Sequence, residues 1–255
     1  MTVKLMPDYG QDAPGLRRGM LIAGIAGVLL CFAAMVILQT GWFRAGLFIV
    51  GLPVAAYGLC MAAYMTWGSR VGKLRTRDRL LDQAGQILGL KGNENVLDVG
   101  CGRGLLLIGA AKRLTTGVAT GIDIWSNEDQ SANSPEAAAE NARREGVSEK
   151  VRIDTGDARS LPYPDKSMDL VLSHWVVHNL KDEPDRMKAL DEMWRVTRPG
   201  GVIALADIEH VAAYQAHFLK LGAQQVVFDD GGWQALIAGW VSGGSFKPQT
   251  LIVKR

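Results

Sequence analysis

The chain has 255 residues, 48% of them hydrophobic, with 28 Lys and Arg against 26 Asp and Glu. That much apolar side chain can offset the ordering entropy of one or two domains, which excludes a disordered chain. Three cysteines, Cys31, Cys60 and Cys101, form no even framework and exclude a disulfide scaffold. The near-neutral total conceals a split. Residues 1–79 hold nine basic and three acidic side chains, a net of +6, whereas the remainder carries 19 basic against 23 acidic, a net of −4. An acidic main domain argues against nucleic acid as a partner, because gripping phosphates requires a basic face.

Between Gly19 and Ser69 a single charged residue, Arg44, separates two apolar runs, 20–38 and 45–67. At 1.5 Å per residue each run spans a hydrocarbon core of roughly 30 Å. Two such runs six residues apart, with no cleavage site followed by a polar chain, predict a transmembrane helical hairpin rather than a signal peptide. Trp42 and Phe43 in the connection belong at interface depth. Three basic residues precede the first span and five lie within 68–79, against one in the connecting loop. The positive-inside rule therefore places both termini and the domain that follows the spans in the cytoplasm, as parts of a multi-pass integral membrane protein. The predicted organisation is an N-terminal tail over 1–19, two transmembrane helices, a basic juxtamembrane linker over 68–79 and a soluble domain over 80–255. Small residues line one face of each span, Gly24, Gly27, Cys31 and Ala34 in the first and Gly51, Ala55, Gly58 and Ala62 in the second. These stripes should face either each other or a second copy of the chain, the latter giving a homodimer through the transmembrane helices. Pro53 is expected to kink the second span. Neither span holds an Asp, Glu, Lys, Arg or His, so the hairpin reads as an anchor or a lipid-side wall.

Beyond residue 78 helix-like and strand-like segments alternate. Strands are predicted at 95–99, 119–124, 151–155, 169–173, 202–207, 225–228 and 249–254, with helices over 80–88, 105–114, 135–145, 184–196 and 211–221. Such alternation means an α/β fold, a mostly parallel sheet covered on both faces. The first strand runs into Val96-Leu-Asp-Val-Gly-Cys-Gly-Arg-Gly104. Gly100, Gly102 and Gly104 allow a tight turn and close approach to a ligand. The dinucleotide spacing needs glycine at 105, where Leu105 stands, which disfavours a pyrophosphate. Asp98 just before the loop would repel a phosphate but accept from an ammonium. Asp123, 19 residues past Gly104 at the end of the second strand, can take both hydroxyls of a ribose. Asp157, after the third strand, offers an acceptor for the exocyclic amine of an adenine. An amino acid end, a ribose and an adenine without phosphates describe S-adenosyl-L-methionine.

Residues 78–255 resemble a class I S-adenosylmethionine-dependent methyltransferase. The resemblance rests on Val96 to Gly104, Gly121-Ile-Asp-Ile124, Thr155-Gly-Asp-Ala158 followed by Leu161-Pro-Tyr-Pro-Asp165, Asp169-Leu-Val-Leu-Ser173, and Arg198-Pro-Gly-Gly201 before a strand. It implies a Rossmann-like sheet of seven strands, the last antiparallel, with the cofactor across the carboxyl ends of the first strands. It further implies that Gly100, Gly102 and Gly104 line the methionine portion. Asp123, with Ile124 beside it, would hold the ribose, Asp157 and Ala158 would flank the adenine, and Ser173 would lie beside the sulfonium.

Methyl transfer needs a general base only when the acceptor must lose a proton. His174 and His178, in Ser-His-Trp-Val-Val-His-Asn after the fourth strand, are the candidates. Their i, i+4 spacing suits a base, a helix cap or a metal ligand. Cys101 reads as a small loop residue, and no metal site is assigned. The polar loop 125–133 is a solvated connection or a wall of the acceptor site. Trp233, Trp240 and Phe246 are core residues, an acceptor lid or a second membrane contact.

The expectation is methyl transfer from S-adenosylmethionine to a small, apolar or membrane-partitioned acceptor, with the lipid bilayer as the other partner. Two alternatives stay open: another reaction on the same fold, and a non-catalytic membrane-anchored cofactor-binding or scaffold protein.

Overall fold

A computed structural model describes residues 6–11, 14–36, 41–126, 133–241 and 247–255, excluding the side chains of residues 233, 234, 237, 238 and 241. The chain divides into two compact units, one formed mainly by residues 10–75 and one by residues 76–255 together with the N-terminal segment that ends at Tyr9.

The first unit contains α1 (Pro14–Val36) and α2 (Trp42–Trp67), both long and apolar enough to cross a membrane. Of the two partners open to the small-residue stripes, the structure selects the other helix of the same chain. A Cβ placed on Gly27 would lie 2.4 Å from the Ala55 nitrogen, and one on Gly58 would lie 2.5 Å from the Gly24 nitrogen. The missing side chains therefore let two backbones touch, as helices pack where lipid removes the hydrophobic drive. The outward residues are apolar, with Ile22, Phe32, Ile49 and Leu52 all more than 60% exposed. Pro53 sits inside an unbroken α2. The stretch read as a linker is helical: a π-helical turn over Gly68–Gly72 leads into α3 (Lys73–Leu88).

The second unit is a seven-stranded sheet built from β1 (Asn95–Val99), β2 (Val118–Asp123), β3 (Val151–Thr155), β4 (Met168–His174), β5 (Thr197–Asp207), β6 (Gln225–Asp229) and β7 (Gln249–Lys254). Its order is β3-β2-β1-β4-β5-β7-β6, and only β7 runs against the rest. The helices are α4 (Leu105–Ala111), α5 (Pro135–Glu145), α6 (Glu183–Val196), α7 (Val211–Lys220) and α8 (Gly232–Val241), of which α8 was not expected from the sequence. Local chemistry sets their ends. Ser134 caps α5 by accepting from the Ala137 amide at 3.2 Å, and Asp182 caps α6 by accepting from Asp185 at 3.0 Å. The apolar strands are buried on both faces. Leu97, Val99, Ile203 and Leu205 pack with Leu190, Met193, Tyr214 and Phe218 in one core. β1 and β4 adjoin, although β2 and β3 lie on the other side of β1. The strand order thus reverses there, opening a crevice at the carboxyl ends.

Candidate active site

The crevice is built from strand ends held in register. Val99 of β1 aligns with Ile122 of β2 and Ser173 of β4, and His174 aligns with Ala206 of β5. The residues predicted from β1, β2, β4 and the turn after β3 therefore reach the same edge of the sheet.

Between β1 and α4 the three glycines adopt φ of +71°, +51° and +87°, a backbone that side-chain-bearing residues rarely take. Gly100 also has no room for a side chain, since its Cβ would lie 2.3 Å from a Val176 methyl. Asp123 holds this loop. Its Oδ2 accepts from the Gly102 amide at 2.8 Å, and its Oδ1 accepts from the Trp125 amide at 2.7 Å and from Asn133 Nδ2 at 3.3 Å. Both oxygens thus have protein donors already, and a ribose would share them. Asp98, 2% exposed, accepts from the Leu107 amide at 2.8 Å. Burial pushes its carboxyl up to about 7, against the pull of the Leu107 amide and with help from the Asp123 charge.

The fit to S-adenosylmethionine rests on this donor set. Two carboxylates flank a glycine loop that has no room for a side chain at Gly100, which favours a cation and hydroxyls and opposes a pyrophosphate. Ile124, 62% exposed, places an apolar surface next to Asp123. Ser173 is buried and donates to the Val99 carbonyl at 3.0 Å. The Gly156 amide donates to the Asp123 carbonyl at 3.1 Å, drawing residues 156–158 toward the same edge. Asp157 is committed to Arg159, whose Nη2 approaches to 2.6 Å and holds the carboxyl below its ordinary range. Ala158 packs on the core.

The exit of β4 carries the histidines. Trp175 takes φ +57°, a strained value for a bulky residue, and its ring stacks on His174 with centroids 4.7 Å apart. His178 lies in a short 3₁₀ turn, Val177–Asn179. Its Nδ1 makes a short hydrogen bond to Asp207, which also accepts from the His178 amide at 3.1 Å. Asp207 ends β5 and is 2% exposed. An ionised carboxylate only accepts, so Nδ1 carries the proton and Nε2 is the basic nitrogen of the ring. Asp207 was not singled out in the sequence, although an acid closing an apolar strand is the signal that marked Asp98 and Asp123. Residues 127–132 of the polar loop and Phe246 lie outside the described residues, as does the side chain of Trp233. Trp240, on α8, is 85% exposed and so is not a core residue.

Residues 97–205 match the family model described as a methyltransferase domain. Within the sheet-bearing unit, residues 97–205 are thus similar to a methyltransferase domain. Two relatives are the methyltransferase GfsG of Streptomyces halstedii, 36% identical over 51% of this chain and 44% of its own length, and the 27-O-demethylrifamycin SV methyltransferase of Amycolatopsis mediterranei, 36% identical over 51% and 44%. The chain thus spans under half the length of these relatives. Among solved structures, the [4+2]-cyclase SpnF superimposes with a TM-score of 0.55 at 20% identity, covering 70% of this chain and 80% of that one, a likeness of fold. The cofactor of the methyltransferase fold family is S-adenosylmethionine.

Proposed function

We propose that this chain is a membrane-anchored, S-adenosylmethionine-dependent methyltransferase acting on a small apolar acceptor that carries an ionisable O–H or N–H. The observation that carries the reading is the His178–Asp207 pair at the edge where the glycine loop and Asp123 converge. Gly100, Gly102, Gly104 and Asp98 would take the amino acid end of the cofactor, Asp123 and Ile124 the ribose, Asp157 and Ala158 the adenine, and Ser173 the region of the sulfonium. When bound, the cofactor supplies a methyl group made electrophilic by positive sulfur. The protein then has to align the acceptor, exclude water and accept a proton. Asp207 orients the His178 ring and stabilises its protonated form, and Nε2 receives the acceptor's proton as the new bond forms. His174, stacked on Trp175, serves as an acceptor contact. A relative named for a 27-O-demethylated substrate supports an oxygen acceptor.

Two apolar helices and the basic residues on both flanks support a bilayer anchor with the domain on the cytoplasmic side. Confinement at the membrane surface raises the effective concentration of lipid-soluble acceptors. The test is to incubate the full chain with methyl-labelled cofactor and either a membrane lipid extract or a soluble extract. Label in the lipid fraction, lost in His178→Ala, supports the reading, and label confined to the soluble fraction refutes the apolar acceptor. A second reading, another reaction on the same fold, draws on the resemblance in fold to a cyclase, and cofactor-dependent product formation without label transfer would favour it.

A further inference from the structure

The glycine loop is gripped from outside by a segment almost a hundred residues away in sequence. Arg103 lies between Gly102 and Gly104, and its Nε donates to the Asp8 carbonyl and its Nη2 to the Asp8 carboxylate, both at 2.8 Å. Asn141 of α5, 1% exposed, joins the two pieces. Its Oδ1 accepts from the Asp8 amide at 2.9 Å, and its Nδ2 donates to the Asp8 carbonyl at 2.8 Å and to the Arg103 carbonyl at 2.9 Å. The segment is pinned on either side as well. Arg144 donates to the Met6 carbonyl at 3.0 Å, and the buried Tyr9 donates its hydroxyl to Glu145 at 3.2 Å. Apart from the Tyr9 hydroxyl, the contacts read the segment's backbone or the short Asp8 side chain, so this is a seated segment rather than a loose tail.

We propose that residues 6–9 are a clasp that positions the glycine loop for the cofactor, with Asp8 and Asn141 as positioning residues. The inference rests on the cofactor reading above. Its physical basis is entropic. Three glycines with positive φ give the loop many alternatives to its ligand-ready shape. Asn141 fixes the Arg103 carbonyl and Asp8 fixes the Arg103 side chain, so the Gly102 amide is held against Asp123 before a ligand arrives. A preorganised loop binds more tightly because less order must be imposed on binding.

The experiment uses the full chain in detergent micelles with Asp8→Arg, Asn141→Ala and, as a surface-charge control, Arg143→Ala. Two readouts are taken: amide hydrogen exchange at 102–104 without ligand, and the dissociation rate of S-adenosylmethionine. Asp8→Arg should speed exchange at 102–104 and cofactor release by about fivefold, the scale of one charge-assisted contact turned repulsive, while exchange in β5 and the behaviour of Arg143→Ala stay as in the wild type. Unchanged exchange and release in Asp8→Arg overturn the clasp. Should Asn141→Ala lose its fold, Asp8→Arg decides, because its side chain is largely exposed and its loss leaves the core intact. Should the wild type bind no cofactor, the cofactor reading fails, and the exchange arm still decides whether the segment orders the loop.

Discussion

His178 donates its Nδ1–H to Asp207, so a carboxylate buried at the end of β5 determines which ring nitrogen of a β4-exit histidine is basic. If that nitrogen takes the acceptor's proton, His178→Ala should lower kcat by about a hundredfold or more while leaving cofactor affinity unchanged. Asp207→Asn should give a smaller loss in kcat, because the amide no longer enforces the tautomer. Steady-state kinetics with calorimetric titration of the cofactor check both. Equal losses of affinity and rate would assign the pair to structure.

Asp98 should make stability depend on pH. Its folded carboxyl titrates near 7 against an ordinary value of 3.8, so its contribution is fully present below the ordinary value and is lost as pH rises through the folded one. Asp98→Asn keeps an oxygen for the Leu107 amide and removes the titration. Thermal melts at increasing pH between 3.8 and about 7 should therefore move in favour of the Asn variant, by at most about 1.4 kcal/mol per pH unit. A constant gap between the two proteins across that window would contradict the assignment.

Tyr214 is fully buried, and its hydroxyl has no hydrogen-bond partner among the described residues. Tyr214→Phe should be neutral or stabilising by up to about 1 kcal/mol, since it removes a polar group that gains nothing from burial. A melting temperature lowered by several degrees would show that the hydroxyl has a bridging partner.

The hairpin packing is open to chemical test. Cys31 Sγ lies 2.9 Å from the position a Gly51 Cβ would occupy, close to the ~3 Å that separates a Cβ from the far sulfur of a disulfide. Gly51→Cys should therefore give an intramolecular disulfide with Cys31 under mild oxidation, seen by mass spectrometry of the Cys31 peptide. Cross-linking only between chains would mean that the stripes join two copies.

These relationships were legible in the sequence to unequal degrees. Val96 to Gly104 could be read because an apolar strand ending in alternating glycines restricts the backbone to few shapes, and the seven strands with an antiparallel β7 followed from the methyltransferase resemblance, whereas the strand order came only from the structure. Asp207 was passed over because no glycine or turn motif surrounds it and its meaning depends on a histidine 29 residues earlier. The helix over Lys73–Leu88 begins within the stretch taken as a basic linker, since charge marked the flank while Lys and Arg are good helix formers. α8 was hidden by its glycine-rich surroundings. The docking of Asp8 on Arg103 and Asn141 is a tertiary event with no local pattern to announce it.

The acid closing β2 and the glycine loop it holds are proposed to form a site for a sulfonium nucleoside. Equilibrium titration of the full chain and of Asp123→Ala with labelled S-adenosylmethionine tests it most directly. The wild type should bind saturably, with affinity weakened by about tenfold or more in the variant, the scale of a lost charged hydrogen-bond acceptor. Indistinguishable dissociation constants for the two proteins, or no binding by the wild type, would contradict it.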